Sequence, residues 1–109
     1  MTFGSGDSPL ERIAALREEA TDEYVHAIDA EAEAQNVYLK AHSVAVLTLR
    51  DEGTPATALI AIANAMCVEE KWWWNVALAT KRSAWAKCDE LGDRLMAAQS
   101  YFRIQREQT

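Results

Sequence analysis

From Leu10 to Arg50 the sequence contains neither proline nor glycine, and that continuity constrains the fold more than any other feature. Proline costs a helix interior about 3 kcal/mol and glycine about 1 kcal/mol relative to alanine, so a long stretch free of both, rich in Ala, Glu, Leu and Arg, is a helix waiting for a start signal. Ser8-Pro9-Leu10-Glu11 supplies that signal. Ser8 can cap, Pro9 suits the first helical position, and Glu11 can return a hydrogen bond to the cap. Along the stretch, Ile13, Ala20, Tyr24, Ala27, Ala34, Tyr38, Ala41 and Ala45 recur mostly at three- or four-residue steps, which puts them on one face. The spacing predicts a helix over 9–50, preceded by a mobile Gly/Ser-rich tail over 1–8.

Asp51-Glu52-Gly53-Thr54-Pro55 then turns the chain. Gly53 can adopt the left-handed conformation that closes a helix, Thr54 is the expected N-cap of the next one, and Pro55 its first residue. A second helix is predicted over 55–106. Its seam is Leu59, Ala63, Met66, Glu70, Trp73, Ala77, Thr80, Ala84, Cys88, Leu91, Leu95, Ala98 and Phe102. Gly92 inside it is a place where a kink or break is expected. The fold class that follows is all-α: a long antiparallel two-helix hairpin of coiled-coil type, one domain over 9–109 with the turn at 51–54.

Charge favours the antiparallel arrangement. Residues 1–36 carry nine acids against two bases, and residues 37–109 carry eight against nine. Folding back at Gly53 is expected to bring Asp22 and Glu23 near Lys81, Arg82 and Lys87, pairs that fix register more than they stabilise.

A hairpin of this size buries little surface per residue, so assembly into an oligomeric bundle is expected. Trp72-Trp73-Trp74 sharpens that expectation, because three successive helical residues sweep about 200° and cannot share one seam. With Trp73 assigned to the seam, Ile60, Cys67, Trp74, Leu78 and Trp85 form a second apolar stripe, and Trp72 a further exposed ring. A second copy of the chain is the expected cover. Docking of another protein or of stacked bases, and plain solvent exposure, are the alternatives.

Several chemistries lack their residues. His26 and His42 have no Cys or His at zinc-ligand spacing, no carboxylate pair resembles a catalytic dyad, and no phosphate loop, nucleophile elbow or H-E-x-x-H occurs. The chain reads as a non-enzyme without cofactor or metal. Cys67 and Cys88 would lie about 31 Å apart on one straight helix, so both are expected to be reduced. No apolar run approaches the ~20 residues of a membrane span and no targeting segment is evident, which makes the cytoplasm the expected compartment. Lys81, Arg82, Lys87, Arg94, Arg103 and Arg106 are candidate contacts to single-stranded DNA, but Asp89, Glu90, Asp93 and Glu107 are interspersed and the chain carries net charge −6. Glu18, Glu19, Asp22, Glu23, Asp29 and Glu33 form an acidic face that could occupy a basic protein surface or simply be solvated.

The long first helix ending in Gly53-Thr54, the Ala-rich start of the second, and the ending Leu95-Met96-Ala97-Ala98-Gln99-Ser100-Tyr101-Phe102-Arg103 together resemble a group of small helical proteins encoded by phages and prophages beside recombination or replication genes. That group often ends L-Q-S-x-x-R; Ala98 stands here in place of the Leu. In architecture the chain is also similar to UvsY-type recombination mediators. The resemblance implies an oligomeric helical accessory protein acting through protein contacts in DNA recombination or replication. A phage inhibitor or anti-defence protein and a virion-assembly component are the other roles such a chain could fill.

Overall fold

The computed structural model describes residues 8–108, so the tail expected over 1–8 lies, apart from Ser8, outside the described residues. Among them the chain forms three helices and no strand: α1 (Pro9–Asp51), α2 (Ala56–Met66) and α3 (Val68–Gln108). The architecture is the expected all-α hairpin, with α1 as one arm and α2 followed by α3 as the returning arm.

α1 begins as its sequence directs. The Glu11 amide donates to Ser8 Oγ at 3.1 Å and the Ser8 amide to Glu11 Oε2 at 3.4 Å, which closes the reciprocal cap. It ends at Gly53, whose φ of +81° lets its own amide reach the Arg50 carbonyl at 3.1 Å and the Thr54 amide reach that of Leu49 at 2.9 Å. This pair of bonds is a Schellman closure, and it satisfies two carbonyls that the helix end would otherwise strand. The cap of α2 departs from expectation. Pro55, not Thr54, is its N-cap, extended at φ −57°, ψ 139° and without a side-chain capping bond. Its carbonyl accepts from the amides of Ala58 and Leu59, both at 3.0 Å, so the helix proper starts one residue later than the spacing suggests.

The expected single second helix is interrupted at Cys67. There φ −110° and ψ 23° leave the helical basin, and the Cys67 amide bonds back three residues to the Asn64 carbonyl at 3.2 Å. Gly92, the expected weak point, lies within an unbroken α3. Ala63, Glu70, Ala77 and Ala84 are buried or half-buried as expected on both sides of the break, so the phase of the seam is kept and only the residues between them differ. Cys67 is buried in place of Met66, Trp74 is half-buried in place of Trp73, and Lys81 in place of Thr80. From Ala84 to Ala98 the expected seam positions are again buried or half-buried; Phe102, at its end, is exposed. All eight expected face residues of α1 are buried or half-buried.

The chain packs as two compact units. In the turn unit, Ala27–Lys81, the core is Ala45, Leu49, Leu59, Ala63 and Cys67, flanked by Tyr38, Ala41 and Val46. The other unit pairs the first arm up to His26 with the chain from Arg82 onward, around Ala20, Cys88 and Leu91. The register of each unit is antiparallel and marked by polar contacts. Lys81 Nζ meets Glu31 at 3.3 Å in the turn unit; in the other, Lys87 meets Glu23 at 3.2 Å and Thr21 Oγ1 lies 3.4 Å from Cys88 Sγ. The Lys87 pair follows the expected charge pattern. Lys81 instead takes Glu31, which reaches it from the half-buried face of α1.

Both thiols are free and buried. No helix among the described residues is long and apolar enough to cross a membrane.

Candidate functional site

The turn unit carries the most distinctive side chains, around the break at Cys67. Just beyond it, Trp72 and Trp73 stand outward, 55 % exposed each, and meet each other edge to face with centroids 4.7 Å apart. Trp74 turns inward. Its ring lies 5.4 Å from that of Tyr38 at 31°, and Lys71 Nζ sits 4.3 Å from the Trp74 centroid and 5.0 Å from that of Tyr38. A cation over two π faces is attracted by both quadrupoles. The expectation that Trp73 fills the seam and Trp74 heads an outward stripe is therefore corrected: the two rings exchange roles. One turn away, His42 Nε2 and Asn64 Oδ1 form a hydrogen bond of 2.8 Å across the arms.

The rest of the expected stripe divides in the same way. Cys67 is core and Leu78 is half-buried, while Ile60 and Trp85 are exposed. Trp85, in the other unit, contacts Tyr24 at 5.2 Å. The expected stripe thus joins residues that differ in burial. Of its members and Trp72, only Ile60, Trp72 and Trp85 offer exposed apolar surface.

Burial leaves two polar atoms of the turn unit without a hydrogen-bond partner, Glu70 Oε2 and Trp74 Nε1. Such atoms cost about 1–3 kcal/mol each. Glu70 also acts on its neighbour. Burial pushes the Cys67 thiol above its ordinary pKa, and the nearby Glu70 carboxylate adds to the rise. A thiol held protonated in this way is a poor nucleophile and packs as a small hydrophobe.

A surface that the sequence reading missed runs along α1 on the other side of Trp73. Ala30, Ala34, Val37, Ala41, Val44 and Thr48 follow each other at alternating steps of four and three. They line an open groove in two stretches, one bounded by Trp73 and Glu33, the other by Met66 and Lys40, with Glu70 lining both. Val37, Val44, Met66 and Trp73 are each more than half exposed. The signal was legible. Ala30, Val37 and Val44 repeat every seven residues beside the internal face, as a second coiled-coil seam does.

Half of the six candidate nucleic-acid contacts are held by carboxylates. Lys81 and Lys87 are engaged by Glu31 and Glu23, and Arg94 by Glu90 at 2.7 Å. Arg82, Arg103 and Arg106 are exposed, as are the six acids singled out on α1, of which Glu23 holds Lys87. No group of three or more His, Cys, Asp or Glu among the described residues is placed to hold a metal ion. No family model matches the chain, and no curated protein or solved structure matches it.

Proposed function

We propose that this chain is a non-enzymatic helical accessory protein that works as an oligomer, through protein contacts. One observation carries the reading: the described residues bury no apolar side chain larger than leucine, while Val37, Val44, Met66, Trp72 and Trp73 of the turn unit stand in solvent. Burying a leucine fully contributes about 1.5–3 kcal/mol, and only Leu49, Leu59 and Leu91 are buried to that degree. A core this small gains from a second layer of helices. Exposed aromatic and aliphatic surface of this extent favours a macromolecular cover over solvent.

The process follows from the resemblance to small phage-encoded helical proteins: DNA recombination or replication, in the cytoplasm, where two reduced thiols persist. Contact with protein is favoured over direct contact with single-stranded DNA, because three of the six candidate bases are held by carboxylates and the net charge is −6. Sedimentation equilibrium of the full chain at micromolar concentration tests the central claim. A mass of two or more chains is expected, and a monomer at every concentration overturns it.

A further inference from the structure

The groove along α1 sets exposed apolar residues beside the charges of Glu33 and Lys40. Its floor is small, Ala30, Ala34 and Ala41, and its exposed ridge is Val37 and Val44. Alternating steps of three and four are what a helix presents to another helix lying almost parallel or antiparallel to it, with small residues allowing close approach. The occupant suited to this groove is therefore a helix with the same repeat.

Charge selects which helix, and in which direction. Glu33 and Lys40 flank the groove one heptad apart, about 10.5 Å along the axis. Both are exposed, and neither is paired with another described residue. A second α1 laid parallel and in register would set Glu33 level with Glu33 and Lys40 level with Lys40. Laid antiparallel about a two-fold axis between Asn36 and Val37, it sets each Glu33 level with Lys40 of the other copy, twice by symmetry. The same placement brings Ala30 of one copy to within one residue's rise of Val44 of the other, small against large.

We propose that the groove is an isologous dimer interface, occupied by α1 of a second copy of this chain, antiparallel, with reciprocal Glu33–Lys40 pairs. This inference rests on the self-association reading and adds the face and the direction. The test is charge reversal, followed by sedimentation and native mass measurement, with helicity checked by circular dichroism. Glu33→Lys and Lys40→Glu alone each create two like-charge contacts and are expected to weaken the dimer about fivefold or more. The double variant should return to within about twofold of wild type. Mixing the two single variants should give mixed dimers in preference to either homodimer, because both cross-pairs are then attractive. That last arm also shows that each single variant is folded. If wild type associates but the single reversals leave its affinity unchanged, or mixing yields no preference for mixed dimers, the proposed face and direction are overturned while self-association stands. A wild-type chain that is monomeric throughout overturns both.

Discussion

Trp74 lies against Tyr38 across the hairpin, ring centroids 5.4 Å apart, while its neighbour Trp73 stands in solvent. One residue's difference in position thus separates a side chain that holds the two arms together from one that borders an open groove. Trp74→Ala should destabilise the chain by about 2–3 kcal/mol, less than a fully buried Trp because Trp74 is only half-buried. Trp73→Ala should cost the isolated chain no more than about 0.5 kcal/mol. Denaturant unfolding at two protein concentrations separates them. The Trp74 deficit should persist on dilution, whereas any Trp73 deficit should shrink as assembly is lost. An unchanged midpoint for Trp74→Ala would remove Trp74 from the internal packing.

Most of the fold was legible because most of it is local. The Ser8–Glu11 cap, the uninterrupted first helix, the Gly53 closure and the α1 face all follow from propensity and period, which need no knowledge of the opposite arm. The site was less legible for a definite reason. Ala63, Glu70, Ala77 and Ala84 fit a row completed by Met66, Trp73 and Thr80 as well as one completed by Cys67, Trp74 and Lys81, since both run at three- and four-residue steps, and only the opposite arm decides between them. The Lys81–Glu31 pair was missed for a related reason: Glu31 sits at a seam position, where a charged residue is not looked for.

Gly53 closes α1 with φ +81°, and nothing lies within 4 Å of where a Cβ would be. Its requirement is thus conformational alone. Gly53→Ala should cost about 1–2 kcal/mol, the left-handed penalty of an L-residue. Thermal melts should show the loss with no change in helix content at low temperature.

Gly92 is the opposite case. It sits in a continuous helix, and a Cβ there would come within 3.1 Å of Arg17 Nε, part of an exposed, flexible side chain that can give way. Gly92→Ala should therefore stabilise, by up to about 1 kcal/mol of helix propensity. A lowered melting temperature would show that Arg17 cannot move.

The Cys67–Glu70 neighbourhood ties stability to pH. The folded-state pKa of the Cys67 thiol is raised, first by burial and then by the Glu70 carboxylate. Between the ordinary thiol value of about 8.5 and that raised value, the folded state holds a proton that the unfolded state releases, so stability must fall as pH rises. The contribution is complete below about pH 8.5 and is lost through the folded pKa. Cys67→Ala should remove this part of the alkaline slope, read as the wild-type minus variant difference in unfolding free energy. Glu70→Leu should act in two ways. It replaces a carboxylate whose Oε2 is buried without a partner, which should stabilise by about 1 kcal/mol and raise the melting temperature by about 4–8 °C at fixed protein concentration. It also lowers the Cys67 pKa part of the way, since burial remains, and so narrows the pH window from its upper end. If Glu70→Leu melts lower than wild type at pH 7, the carboxylate has a partner that stabilises it, and the unsatisfied oxygen is not a cost the fold carries.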